Sequence, residues 1–164
     1  MRKNKKYFFH ETSIIDKDVK IGEGSKVWHW CHISKNSKIG KNCILGQNIY
    51  VGEGVIIGDN VKIQNNVSIY SGVIIKNNVF VGPSVVFTNI KEPRSFINKK
   101  KSFLKTVICD GATLGANSTI ICGIKIGKFS MVGAGAVCTK SIDPFSKVVG
   151  NPAKIIGYVN KKGK

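Results

Sequence analysis

Few side chains in this sequence can move a proton near neutral pH. Of the three histidines, His29 and His32 stand close together in VWHWCHI (Val27 to Ile33), between and beside Trp28 and Trp30. Imidazole can act as a general base at physiological pH, and it can equally hold a ligand by hydrogen bonds. Amides recur at Gln47, Gln64, Asn65 and Asn66. They can cap turns, or they can offer paired donors and acceptors to a sugar or a base. The stretch FTNIKEPRS (Phe87 to Ser95) adds Asn89 and Arg94, and Lys99 to Lys101 follow it. A guanidinium backed by ammonium groups suits an anionic ligand. Further on, Gly115, Ala116, Gly133, Ala134 and Gly135 would leave backbone amides bare on a smooth wall, along which a long, thin phosphorylated molecule can lie. Lys140 and Lys154 are candidates for its phosphates.

A six-residue period must position these groups. Stepping by six from Ile15 meets an aliphatic residue at every position up to Val81, then Phe87. The phase breaks there and resumes at Ile108, Leu114, Ile120, Ile126, Val132 and Cys138. Glycine commonly follows, as at Gly22, Gly40, Gly58 and Gly127, and the residue two before is small or β-branched, as at Cys31, Ser37, Cys43, Val55, Val61 and Val67. The aliphatic side chains should point inward while Gly or Asn makes the turn. A six-residue unit cannot bury its own core, so neighbouring units must stack. An amphipathic helix is excluded, because six residues drift around a 3.6-residue turn. The expected organisation is a lead-in over 1–14, a repeat domain over 15–142 with an inserted loop over 88–107, and a closing segment with a basic tail over 143–164.

Bulk properties fit one all-β domain. Apolar residues make up 42%, mean hydropathy is −0.01 and the formal charge is +17. Much of that charge sits at Arg2, Lys3, Lys5 and Lys6, at Lys99 to Lys101, and at Lys161, Lys162 and Lys164. The rest is scattered singly, with no basic helix or aromatic RNA-binding cluster. The sequence therefore predicts phosphorylated small molecules rather than nucleic acid as partners. Five cysteines without a C-x-x-C pair, each inside an Ile/Val-rich stretch, predict buried thiols rather than disulfides or zinc ligands. Reduced cytoplasm is the expected compartment. No apolar run of membrane-spanning length and no secretory leader are read, so no membrane insertion is expected.

The repeat resembles the left-handed parallel β-helix of the hexapeptide-repeat acyltransferases over Ile15 to about Tyr158. In that family three hexapeptides make one triangular coil of 18 residues, so the resemblance implies about six coils. Trp28 to Trp30 would then stack against Gly46 to Asn48, Gln64 to Asn66 and Gly82 to Ser84, with His32, Tyr50, Ser68 and Val86 as the neighbouring outward column. VWHWCHI, LGQNIYVG (Leu45 to Gly52), KIQNNVSIY (Lys62 to Tyr70) and VGPSVVFTN (Val81 to Asn89) resemble one subgroup, the N-acetyltransferases of nucleotide-linked amino sugars. Its members nearest to these stretches acetylate UDP-2-acetamido-3-amino-2,3-dideoxy-glucuronate for surface-polysaccharide synthesis; members using dTDP-3-amino-3,6-dideoxyhexoses carry very similar repeats.

The resemblance implies acetyl-CoA as cosubstrate, along Gly115, Ala116, Gly133 and Ala134, beside Gly150 to Lys154 with its Pro152. It implies no metal. A three-histidine zinc site, used by carbonic anhydrases of this fold, is out of reach because His10 precedes the repeat. Asn89 matches the family position that hydrogen-bonds the acceptor amine, and His29 and His32 are the candidates for a base. Gln47, Gln64, Asn65, Asn66, Tyr70, Phe87 and Arg94 are the expected substrate contacts, Arg94 for a diphosphate or carboxylate. A homotrimer with sites between subunits is implied too, with outward Ile44, Ile49, Ile56 and Ile74 available for burial there.

Overall fold

Each hexapeptide folds as two extended residues followed by a four-residue corner, and three corners turn the chain once around a triangular prism. The computed structural model describes residues 6–99 and 102–164; Arg2, Lys3, Lys5, Lys100 and Lys101 lie outside the described residues. The first face stacks Phe8–Phe9, Lys26–Val27, Ile44–Leu45, Lys62–Ile63, Phe80–Val81, Thr113–Leu114, Met131–Val132 and Ser146–Val149. The second stacks Ile14–Ile15, His32–Ile33, Tyr50–Val51, Ser68–Ile69, Val86–Phe87, Thr119–Ile120 and Val137–Cys138. The third stacks Lys20–Ile21, Lys38–Ile39, Ile56–Ile57, Val73–Ile75, Thr106–Ile108 and Lys125–Ile126. All these neighbours pair in parallel. Among the described residues no helix is long and apolar enough to cross a membrane.

The periodic residues do what their spacing demands. From Val27 through Cys138 every one of them is buried, while Ile15 and Ile21 are partly covered at the open N-terminal end. Corners require a left-handed residue, and asparagine supplies it at Asn42, Asn60 and Asn78 with φ of 54°, 56° and 57°. Its short polar side chain tolerates that region better than other non-glycine residues. Glycine after the inward residue has a different cause. A Cβ on Gly22 would lie 2.5 Å from the carbonyl carbon of Gly40 in the next coil, so the coils can close up only without it.

The prism is longer than six coils. Its first face carries eight parallel strands, because Phe8–Phe9 already pairs in register with Lys26–Val27 and Ser146–Val149 continues beyond Met131–Val132. The step count missed both ends, since Phe9 and Val148 stand outside the unbroken run of periodic aliphatics. Lys154–Tyr158 then turns back antiparallel onto Ser146–Val149 and covers the last rung. Ile49 is also not an outward residue. It is 1% exposed, filling the small inner corner position two before Val51.

Serine and cysteine share that inner position and make the same bond. Ser25 Oγ and Ser37 Oγ donate to the carbonyls of Gly40 and Gly52 at 2.7 and 2.9 Å. The thiols of Cys31 and Cys43 reach those of Gly46 and Gly58 at 3.0 Å. All five cysteines are buried and free. Burial pushes the thiols of Cys31 and Cys43 up, and that of Cys138 to about 11. A thiol held above its ordinary pKa stays protonated and unreactive at pH 8. Because all five thiols are buried, native protein at pH 8 should resist a chromogenic disulfide reagent, with labelling only in denaturant; rapid native labelling would contradict this packing.

Candidate functional site

The corner joining the first face to the second carries the groups that the sequence singled out. Trp28 and Trp30 are exposed there, on either side of the partly covered His29. Stacking on the next coils brings Gln47 and then Gln64 and Asn65 onto the same edge. Asn48 Nδ2 donates to Asn66 Oδ1 at 3.0 Å, and the Gln47 backbone N–H donates to Asn65 Oδ1 at 3.0 Å. Both amides thus have a structural duty. Asn65 keeps its Nδ2 and one lone pair of Oδ1 for a ligand, and the Gln64 side-chain amide is bonded to no other group among the described residues. Trp28, His29, Gln47, Gln64 and Asn65 line one cavity of about 330 Å³, with Ile44 on its floor. An aromatic wall facing amides can hold a planar heterocycle or a sugar ring by stacking and hydrogen bonds.

Trp30 sits in the left-handed region at φ 55°, where neighbouring coils place Asn48 and Asn66. A bulky residue held there marks a position fixed by its surroundings. Its amide donates to Thr12 Oγ1 at 3.0 Å, one coil below. Thr12 also bonds His10 Nδ1 at 3.0 Å, and the His10 ring lies on His29 with centroids 3.7 Å apart. His10 therefore belongs to this corner, contrary to its assignment to a lead-in outside the repeat. Carrying the 18-residue step one coil upstream from Trp28 and Trp30 would have found His10 and Thr12.

His32 faces the other flank. It leads the second-face strand His32–Ile33, and its Nε2 lies 3.1 Å from Asp16 Oδ1. Its ring meets Tyr50 edge-on at 5.7 Å, and Tyr50 meets Tyr70 at 5.9 Å. The outward column His32, Tyr50, Ser68, Val86 is therefore in register as expected. His29 stands in the corner turn and His32 on the face that follows it, and of the two only His29 lines the cavity with Trp28. Asp16 is a further residue that the sequence left unnoticed.

The inserted loop leaves the corner between the second and third faces. Val27 faces Leu45 but Val81 faces Leu114, so the coil step grows from 18 to 33 residues and the insertion adds 15. The Leu104 amide donates to the Asn89 carbonyl at 3.0 Å and closes the neck of the loop. Asn89 is partly exposed beside Thr88. Arg94 lines a separate cavity of about 400 Å³ with Pro93, Phe96, Lys99 and Phe103, and donates to the Pro93 carbonyl at 3.1 Å. The two cavities share no lining residue. Phe87 is not a ligand contact: it is 1% exposed, with its ring in the core at an inward position of the period.

Above the amides the same corner becomes smooth. Gly115 and Ala116, then Gly133 and Ala134, continue the column in register, and Pro152 lies in the segment that bonds over Val137. Gly115 is small because the next coil demands it, with the Ala134 amide 2.5 Å from where a Cβ would stand. Ala134 and Gly135 are open to solvent. Lys154 is exposed on the closing strand, whereas Lys140 stands at the following corner, away from this column. Among the described residues, no group of three or more His, Cys, Asp or Glu side chains is placed to hold a metal.

Stacked two-residue strands around an aliphatic core, with a polar corner giving way to a smooth one, define a hexapeptide-repeat β-helix. Residues 18–53, 36–69, 54–89 and 105–140 match the model of the bacterial transferase hexapeptide family, described by six repeats. The chain belongs to that family, and the left-handed winding comes with it. The chain is 49% identical over 59 residues to dTDP-3-amino-3,6-dideoxy-alpha-D-galactopyranose 3-N-acetyltransferase of Aneurinibacillus thermoaerophilus, covering 36% of this chain and 31% of that protein. The chain spans about a third or less of the length of the curated relatives it matches. A hexapeptide-repeat acetyltransferase of Vibrio cholerae, crystallised with acetyl coenzyme A, superposes with a TM-score of 0.58 at 27% identity, covering 71% of this chain and 70% of that one. GDP-perosamine N-acetyltransferase of Caulobacter crescentus, crystallised with CoA and GDP-perosamine, shares the fold at 21% identity with a TM-score of 0.60, over 91% of this chain and 55% of that one.

The hydrogen bonds separate amides that hold the corner from one that does not. Asn65→Leu removes the acceptor for the Gln47 amide and should cost about 1–2 kcal/mol, read as a fall of several degrees in Tm. Gln64→Ala should leave Tm unchanged; equal losses in thermal unfolding would refute the distinction.

Proposed function

We propose that this protein is an acetyl-CoA-dependent N-acetyltransferase acting on the amino group of a nucleotide-linked amino sugar. The preferred substrate in this reading is UDP-2-acetamido-3-amino-2,3-dideoxy-glucuronate, and a dTDP-3-amino-3,6-dideoxyhexose is the alternative. The observation that carries it is the corner column. An aromatic and amide cavity at Trp28, His29, Gln47, Gln64 and Asn65 lies end to end with a smooth wall at Gly115, Ala116, Gly133 and Ala134. The first suits a nucleotide sugar, and the second suits the extended cosubstrate, with Pro152 and Lys154 at its end. The Aneurinibacillus relative's name specifies the same class of chemistry.

The reaction is attack of a neutral sugar amine on the thioester carbonyl. Holding two reactants in line supplies much of the rate enhancement. Asn89 accepts a hydrogen bond from the amine through its side-chain carbonyl and so aims the nitrogen lone pair. An amide is not a base, so the proton leaves with the departing thiolate. A coil backbone N–H stabilises the oxyanion of the tetrahedral intermediate. Arg94 pairs with the diphosphate or the uronate carboxylate. Because Arg94 and Trp28 line different cavities of one chain, the site in this reading is completed between subunits of a homotrimer. Ile44 and Ile56, 37% and 43% exposed, are available for burial there. A non-catalytic scaffold is the contrasting reading, favoured only by the structural demand for small residues at Gly115 and Gly133.

A thiol-release assay with acetyl-CoA against UDP- and dTDP-linked 3-amino and 4-amino sugars decides between them, since a scaffold releases no thiol with any sugar. Asn89→Ala should lower kcat by about 10²-fold or more, while His29→Asn and His32→Asn keep near-normal kcat. A loss of about 10³ at either histidine would instead make it the base. Arg94→Ala should raise KM for the sugar more than it lowers kcat.

A further inference from the structure

We propose that His10 is a positioning residue for the nucleotide-sugar site: it fixes the His29 imidazole against the cavity wall, and the fixed ring grips the nucleotide. This deepens the function proposed above and rests on it. Three observations converge. The two rings lie 3.7 Å apart at an interplanar angle of 34°. His10 is itself anchored, because the Thr12 amide donates to its Nδ1 at 3.3 Å and Thr12 Oγ1 bonds the same atom at 3.0 Å. With Nδ1 accepting, the neutral ring carries its proton on Nε2. The same Thr12 oxygen accepts the amide of Trp30, the aromatic residue held in the left-handed region. A single threonine thus ties together the ring beneath His29 and the backbone immediately after it.

The consequence falls on the cavity. His29 has its neighbours Trp28 and Trp30 at 6.1 and 5.5 Å, and it lines the cavity with Trp28, Gln47, Gln64 and Asn65. Trp28 is in turn braced edge-on by Phe8 at 5.6 Å. An unsupported imidazole at an exposed corner would sample several rotamers, and freezing it on binding would cost affinity. His10 removes that cost in advance. The first coil, Phe8 to Thr12, therefore serves as the rigid backing of a binding wall presented by the second. Substrate affinity is what this preorganisation sets; the chemical step at the amine is left to other groups.

His10→Ala and His10→Phe separate this role from the alternatives. His10→Ala should raise KM for the amino-sugar nucleotide about tenfold, equivalent to about 1.4 kcal/mol, with kcat and the KM for acetyl-CoA unchanged. His10→Phe keeps a flat ring under His29 and should restore most of the affinity. Matching Tm values for the two variants exclude unfolding as the cause. Proton NMR of the His29 ring supplies a readout independent of activity: its resonances should move downfield in His10→Ala, where the shielding neighbour is lost, and hold in His10→Phe. A fall in kcat at constant KM, or unchanged kinetics in His10→Ala, overturns the positioning role. Unchanged His29 resonances overturn the stack itself. If the wild type turned over no amino-sugar nucleotide, the proposed function would fall and take the gripping role with it, whatever the resonances showed.

Discussion

Every coil of this protein must lie flat on the next at the spacing of a β-sheet hydrogen bond, and the rest of the structure follows from that contact. Amide donors one coil apart meet carbonyls at 2.7 to 3.1 Å along the faces, as from Gly52 to Ile69 and from Val107 to Ile124. No side chain can intervene, which is why Gly22 and Gly115 lack a Cβ. The same contact commits corner polar groups to the neighbouring backbone. Asn65 serves Gln47, and Asp59 accepts the Lys41 amide at 2.7 Å. A binding site on such a surface must be assembled from whatever the ladder leaves over. Here that is the indoles, His29, Gln64 and the free ends of the amides.

Much of the fold was legible because period and burial report the same thing. A residue recurring every six places faces inward, and from Val27 to Cys138 the expectation matches the observed core. The period is silent about two matters. It says nothing about where the prism ends, because Phe9 and Val148 stand outside the run of periodic aliphatics although Phe8–Phe9 and Ser146–Val149 pair as rungs. It also does not tell which flank of a corner an outward residue takes. His29 and His32 look like a pair in VWHWCHI, yet His29 stands in the corner turn and His32 on the second face. Phe87 shows the converse: its place in the period already required a buried ring, whatever motif surrounds it.

The two flanks of the corner are built differently. On one, aromatic rings and amides enclose a cavity, and the support comes from stacking: His10 on His29, Phe8 on Trp28. On the other, a hydrogen bond and a chain of rings run from Asp16 through His32 and Tyr50 to Tyr70, on an open surface. The stacked side is better suited to holding a neutral planar group, the other to meeting charge. Neither includes Arg94, which the loop carries to its own cavity.

At the neck of that loop the Leu104 amide reaches the Asn89 carbonyl at 3.0 Å, and the Thr88 and Thr106 hydroxyls accept the Cys122 and Gly123 amides of the next coil at 2.9 and 3.0 Å. Beyond it Ile108 settles over Ile75 as though nothing had been inserted. The prism is thus indifferent to the length and content of what leaves at this corner. A segment so insulated can be exchanged, lengthened or rewritten as a cassette without renegotiating the core. Such a scaffold can change what it recognises far faster than it changes its shape, and a set of proteins with one nearly constant body and many specificities is the natural product of that freedom.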